Sequence, residues 1–260
     1  ILMPGMMSYH DPVLLFESID GLSVKPDGVY VDVTFGGGGH SKEILRRLGD
    51  HGRLYAFDQD QDALQNLIQD DRFTLISENF RFIKRYLRLE GVNKVDGILA
   101  DLGVSSHQFD SKDRGFSTRF DANLDMRMNE SGGLSAFEVI NEYSEEELSG
   151  VLFQFGELRN SRAMAKTIVE ARLKGSIQTS FELKEVLKRF LPKSKEHKIL
   201  AQVFQAVRIE VNEEIQVLKE FLTQTEALLD KGGRLSVISY HSLEDRLVKR
   251  FIRDGQFKGE

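Results

Sequence analysis

Apolar residues follow two rhythms along this chain. In its first part they form short runs that predict buried strands: Val29–Val33, Arg53–Asp58, Phe73–Ile76 and Val95–Asp101. Between these runs the spacing turns helical. A lead-in helix is expected within residues 8–24 after Pro12. Ser41–Leu48 gathers Ile44, Leu45 and Leu48 on one face, and Asp62–Ile68 and Phe82–Leu89 continue the alternation. From Ser105 to about Ile199 no buried strand is predicted. Capping-box spacing instead marks helix starts at Ser135/Glu138, Ser144/Glu147 and Thr179/Glu182. Leu200–Leu229 reads as helix, bent near Asn212, packing back on the sheet and ending at Gly232-Gly233. Arg234–Ser239 reads as a fifth strand, with a last helix after Tyr240.

Strands alternating with helices predict an α/β fold with a parallel, doubly wound sheet. The change of rhythm predicts a discontinuous domain, residues 1–105 and 200–260, interrupted by a mostly helical insertion at 106–199.

Composition narrows the chemistry. The 260 residues carry a net charge of −6, so a nucleic-acid partner must be met by a local basic patch. No apolar run reaches the about 18 residues needed to span a membrane, and the first residues lack a signal peptide's basic start and apolar core. The chain does not begin with Met, so the numbering is expected to start inside a longer chain. There is no cysteine, hence no disulfide, no thiolate ligand and no thiolate nucleophile. The histidines show no paired metal-ligand spacing, and no metal is expected.

The stretch from Gly28 to Ser41 is the best candidate site. A strand runs into Gly36, Gly37, Gly38 and Gly39, and a helix is expected from His40-Ser41. Such a turn allows positive φ and close approach of a ligand to the main chain, and the free N–H groups of the helix attract an anion. A dinucleotide fingerprint is only partly met, because Ser41 stands at its third small position. Asp32-x-Thr34-x-Gly36-x-Gly38 fits a methyltransferase pattern better. There the turn would hold the methionine carboxylate, and Asp32 would accept from the ammonium, of a sulfonium cofactor. Asp58, about 20 residues on, is placed to accept from both ribose hydroxyls or, alternatively, to cap a turn. Asp101 ends the fourth strand at the edge where ligands of open α/β sheets bind. Gln108 follows within reach of the same crevice.

Phe-Gly-Gly-Gly-Gly-His-Ser (35–41), Asp-Leu-Gly-Val-Ser-Ser (101–106), Arg-Gly-Phe-Ser (114–117), Leu-Asp-Met-Arg-Met (124–128), Phe-Gln-Ala-Val-Arg-Ile-Glu-Val-Asn (204–212) and Ser-Tyr-His-Ser-Leu-Glu-Asp-Arg (239–246) together resemble the bacterial ribosomal small-subunit RNA cytosine-N4 methyltransferase family, RsmH, formerly MraW. The resemblance extends from Tyr9 to about Phe251. It implies a Rossmann-like S-adenosylmethionine domain with a helical substrate-recognition insertion. It also implies cofactor contacts from the glycine turn, in particular Gly38, Gly39 and His40, with the ribose on Asp58 and the adenine against Phe80. Asp101 and Gln108 would complete the pocket. The implied partner is 16S ribosomal RNA within the small subunit, in the cytoplasm; the oligomeric state stays open. Two departures stand out. The segment before Phe204 reads His197-Lys-Ile-Leu-Ala-Gln instead of the family's usual His-Pro-Ala-Thr-like residues, and the sequence ends at Glu260 where the family continues into a basic tail.

Methylation of cytosine's exocyclic amine needs an acceptor that localises its lone pair. Asp101 is the candidate, helped by Ser239–His241; His241 reads equally as an acceptor or as a structural histidine. Without a thiolate, carbon-5 methylation is closed and amine or ribose methylation stays open. A methyltransferase acting on another RNA, a protein or a small molecule remains an alternative, as does a non-enzymatic RNA-binding factor. For RNA, the basic residues Lys184, Lys188, Arg189, Lys193, Lys195 and Lys198, and the run Lys249, Arg250 and Arg253, are phosphate-binding candidates or solvated faces. Arg114, Phe116, Met126 and Met128 read as base-pocket residues, or the methionines as packing between domains.

Overall fold

A computed structural model describes residues 12–258. Residues 8–11 of the expected lead-in helix lie outside the described residues, as do most of the residues on which the signal-peptide reading rests. The chain forms two compact units, residues 1–106 with 217–260 and residues 107–216.

The first unit is built on five parallel strands: β1 (Val29–Asp32), β2 (Arg53–Phe57), β3 (Phe73–Ile76), β4 (Val95–Asp101) and β5 (Leu229–Ile238). Their order is β3-β2-β1-β4-β5, so the winding reverses between β1 and β4. That reversal opens a crevice at the carboxyl ends of these two strands. Helices α1 (Leu15–Leu22) and α2 (Gly39–Arg47) cover one face, packing Ile19, Leu22, Ile44 and Leu45 on Tyr30, Leu54 and Leu99. On the other face lie α3 (Ile83–Leu89), α10 (Glu214–Leu228) and α11 (Ser242–Asp254). Their Ile83, Leu87, Leu218, Phe221, Leu222 and Val248 meet Val31, Phe57, Ile98 and Ala100. Strands covered on both faces need apolar residues at both parities, hence the runs rather than an alternation.

The second unit holds α4 (Ser106–Asp110), α5 (Ala136–Glu142), α6 (Glu145–Gln154), α7 (Ser161–Arg172), α8 (Ser180–Leu187) and α9 (Glu196–Val211). All three expected capping boxes form, each with a Ser or Thr side chain and a Glu at N3. Its strand content among the described residues is a single bridge, Asn123 to Thr179.

Four elements differ from expectation. Asp62–Ile68 is a 3-10 helix over Gln61–Asn66, started by Asp60, whose side chain accepts from the Asp62 N–H. The long helix does not merely bend at Asn212. It breaks into α9 and α10, with Glu213 at φ +49°. Helix α9 packs on α5 and α6 rather than on the sheet, so the second unit runs to Gln216, beyond the expected return at Leu200. Finally, Gly232-Gly233 does not end the helix. The helix ends at Leu228, and the two glycines lie inside β5, where the register with β4 shifts between Val95 and Gly97.

Candidate active site

The glycine turn joins β1 to α2 as expected, but with its own steric reasons. Gly36 and Gly38 sit at φ +49° and +75°, where a side chain is strained. A Cβ on Gly39 would stand 2.1 Å from Pro12 Cγ, so a neighbour inside the unit already requires glycine there. Helix α2 starts at Gly39, next to the expected His40-Ser41, and its first N–H groups have no intrahelical acceptor.

Asp32 is fully buried. One carboxylate oxygen accepts from the Thr34 N–H at 3.1 Å, the other from the Ser41 hydroxyl at 2.7 Å. Burial pushes its pKa up, against these bonds and the nearby His40. The expectation that Asp32 accepts from a ligand ammonium fails on this geometry: the carboxylate is sealed and ties the end of β1 to α2. Thr34, the second fixed residue of the Asp32-x-Thr34-x-Gly36-x-Gly38 pattern, has a function of its own. Its hydroxyl accepts the Asp101 N–H at 2.7 Å and so fastens β4 beside β1.

Asp58 follows β2 directly and faces the turn. Its oxygens accept from the Gly36 N–H at 2.7 Å and the Asp60 N–H at 2.9 Å. Each oxygen keeps a lone pair for a further donor. Burial, only partly offset by these two bonds, pushes its pKa up to about 6. Phe80 lies just past β3, half-buried, edge-on to Phe221 at 5.3 Å between ring centres. The preceding loop is anchored to the one after β2 by the Asn79 amide, which donates to Gln59 at 2.9 Å. Asp58 and Phe80 thus stand at the carboxyl ends of adjacent strands, on one side of the glycine turn.

Asp101 ends β4. Its Oδ1 accepts from the Tyr240 hydroxyl at 2.8 Å, and its Oδ2 lies 3.9 Å from His40 Nδ1. Burial pushes the Asp101 pKa up, while the Tyr240 bond and His40 pull against it. Burial and the carboxylate raise the Tyr240 pKa in turn, so the phenol is a donor at neutral pH. The His40 side chain is buried, with Nε2 3.1 Å from the Val13 carbonyl. That carbonyl can only accept, so Nε2 carries the hydrogen. The ring of His40 is therefore committed inside the unit, and its main chain is what faces the turn.

Of the two readings of His241, the geometry agrees with the structural one: its Nε2 lies 3.1 Å from a Glu244 carboxylate oxygen, and the preceding Tyr240 is the residue that reaches Asp101. Tyr240 follows two residues after Ile238, the register partner of Asp101, just past the end of β5; that register is set by the fold and cannot be read from the sequence.

In the second unit Gln108 is buried in α4. Arg114, Phe116 and Met126 are buried too, rather than lining an open pocket. Arg114 donates to the carbonyls of Arg127 and Met128 at 2.7 and 3.1 Å. Asn212 completes the clamp, accepting from the Met128 N–H at 2.7 Å and donating to the Met126 carbonyl at 2.8 Å. Of the basic residues, Lys184 and Lys188 are paired with Glu196 and Glu185. Lys193, Lys195 and Lys198 are exposed and have no ion-pair partner among the described residues.

Residues 7–259 match the model of the MraW methylase family. The chain belongs to the MraW methylase family. A protein of Flavobacterium johnsoniae named ribosomal RNA small subunit methyltransferase H is 66% identical over 258 residues, 99% of this chain and 85% of that one. Proteins of the same name from Cytophaga hutchinsonii and Bacteroides thetaiotaomicron are 56% and 54% identical, over 97% and 98% of this chain and 85% and 84% of theirs. Among solved structures, the fibrillarin of Aeropyrum pernix aligns at 12% identity and a TM-score of 0.29, over 61% of this chain and 66% of that chain. The family membership makes the chain a methyltransferase, and the sheet order and glycine turn give its first unit a Rossmann-like fold. Among the described residues no helix is long and apolar enough to cross a membrane.

Proposed function

We propose that this chain transfers the methyl group of S-adenosylmethionine to the N4 amine of a cytidine in 16S ribosomal RNA of the small subunit, in the cytoplasm. The observation that carries the reading is the match, nearly end to end, to relatives named ribosomal RNA small subunit methyltransferase H. The choice of the N4 amine rests on the motif resemblance and on the absence of any cysteine to form a carbon-5 adduct.

The donor set fits the cofactor. The first N–H groups of α2, around Gly38, Gly39 and His40, suit a carboxylate, with Gly36 and Gly37 forming the turn's floor. The remaining lone pairs of Asp58 suit ribose hydroxyls, and Phe80 offers an apolar surface to the adenine. The role of Gln108 rests on the resemblance alone. When bound, the cofactor supplies an electrophilic methyl on a sulfonium.

The chain's own part is to make the amine nucleophilic and to take its proton. Cytosine's exocyclic nitrogen shares its lone pair with the ring. A carboxylate oxygen accepting one N–H localises that pair and receives the proton released when nitrogen gains carbon. Asp101 is assigned this role. Its acceptor side is Oδ2, because Oδ1 is engaged by Tyr240. Orientation of the two reactants supplies much of the remainder, about 7–11 kcal/mol in intramolecular systems. Lys193, Lys195 and Lys198 are assigned to phosphate contacts.

The test is to incubate the protein with methyl-labelled S-adenosylmethionine and, separately, small ribosomal subunits, free 16S RNA and ribosomal proteins, then map the label by mass spectrometry. Label on the exocyclic amine of one cytidine is expected. Label on a ring carbon, a ribose or a protein, or no label at all, overturns the reading.

A further inference from the structure

Tyr240 lies within the 239–246 motif and within the Ser239–His241 segment, but no role of its own follows from either. It is 55% exposed for an aromatic side chain, at the end of β5, with its ring edge over Gly103. Two bonds hold it. Its backbone N–H donates to the buried Glu244 carboxylate at 3.0 Å, and its hydroxyl donates to Asp101 at 2.8 Å. Solvation alone would leave such a phenol free to turn toward water. Here it is drawn onto a carboxylate at the reversal point of the sheet.

Asp101 is held at two points. Thr34 fixes its backbone and Tyr240 takes Oδ1, while His40 faces Oδ2 across 3.9 Å, too far for a direct hydrogen bond. The charged and titratable groups around the carboxyl are therefore Tyr240 from β5's end, His40 from α2, Asp32 from β1 and Glu244 from α11. Of these, Tyr240 alone donates a hydrogen bond to it among the described residues. The phenol restrains the carboxylate plane against intermediate rotations that would turn both oxygens away from the crevice.

We propose that Tyr240 is a positioning residue for methyl transfer: by holding Oδ1 of Asp101 it fixes the plane of the carboxylate and so aims Oδ2 at the acceptor's amine. This rests on Asp101 being the proton acceptor, as proposed above. With the sulfonium cofactor as methyl donor the step balances. One N–H bond of the amine breaks and its proton passes to Oδ2; the nitrogen pair forms the new bond to the methyl carbon, whose bond to sulfur would break with its electron pair left on a neutral thioether. Tyr240 keeps its own proton throughout. Because its hydrogen bond favours the carboxylate form, it also lowers the pH at which Asp101 becomes competent.

Tyr240→Phe removes the hydroxyl and keeps the ring. Wild type and Tyr240→Phe are compared by single-turnover methyl transfer to small subunits from pH 5.5 to 9, with cofactor affinity measured separately by calorimetry. A lost hydrogen bond to a charged acceptor corresponds to a fall of about 10- to 100-fold in the transfer rate. The acidic limb of the profile is expected to move to higher pH, with KM for the subunit and cofactor affinity unchanged. In an Asp101→Asn background the same change is expected to have no further effect on residual turnover, because the two residues act as one unit. An unchanged rate and profile, a loss confined to cofactor affinity, or full additivity with Asp101→Asn each overturn the proposal. Failure of the wild-type protein to methylate any RNA would instead refute the functional reading, so the two failures are distinguishable.

Discussion

Lowering the pH from 7 to 5 is expected to weaken cofactor binding about tenfold through Asp58 alone. The carboxyl is pushed up to about 6, chiefly by burial, so it is mostly ionised at pH 7 and mostly protonated at pH 5. Only the carboxylate has acceptor capacity for two ribose hydroxyls beyond the Gly36 and Asp60 N–H groups it already serves. The sign for folding is opposite. The folded value lies above the ordinary 3.8, so protonation favours the unliganded fold. That contribution is complete below about pH 4 and is lost as the pH rises through 6. Its full size is about 3 kcal/mol for a shift of this extent. Titration calorimetry with S-adenosylhomocysteine between pH 5 and 8, on wild type and Asp58→Asn, measures the first effect; thermal unfolding without ligand measures the second. Burial also raises Asp101, but that titration is common to both proteins, so the difference between the curves isolates Asp58. Parallel affinity curves for the two proteins would refute the assignment of Asp58 to the ribose.

Three further perturbations have readable outcomes. Ser41→Ala removes the 2.7 Å donor from the sealed Asp32 carboxylate and is expected to cost about 1.5–3 kcal/mol in urea unfolding; a change near zero would show that Asp32 is not held as described. Asn212→Ala frees the Met128 N–H and the Met126 carbonyl and is expected to destabilise by about 2–4 kcal/mol, with Asn212→Asp recovering only the first bond. Replacing Lys193, Lys195 and Lys198 together by glutamine is expected to lower the salt dependence of RNA binding by about 0.7 in slope for each lost single-strand phosphate contact. An unchanged slope would leave these lysines as a solvated face.

The sheet was legible because parallel strands buried on both faces need continuous β-branched and aliphatic runs. Val29–Asp32, Phe73–Ile76 and Val95–Asp101 stand out for that reason. The capping boxes were legible because both partners lie within one turn of each other. What escaped was set by residues distant in sequence. The packing of α9 on α5 and α6 depends on partners far back in the chain, and its amphipathic pattern does not say which surface it meets. Gly232-Gly233 carried an ordinary helix-stop signal, but pairing with β4 drew the chain into strand before it and around it. In the candidate site, Asp58 and Asp101 could be read from their strand ends. Tyr240 could not be chosen over His241 without the register of β4 against β5. Asp32 and Arg114 were expected at a ligand, but their hydrogen bonds hold the fold itself.

The pairing of β4 with β5 also bears on how the protein is made. Central β4 gains its second neighbour only when Ile238 has been synthesised, long after Asp101. Ribosomes add about 5–20 residues per second, so the interval is on the order of ten seconds. During it the apolar edge of β4, with Ile98, Leu99 and Ala100, has neither β5 beside it nor α10 above it. The nascent chain therefore presents an open hydrophobic sheet edge while the helices of the other unit are still emerging. That is the species a cotranslational chaperone would be expected to engage.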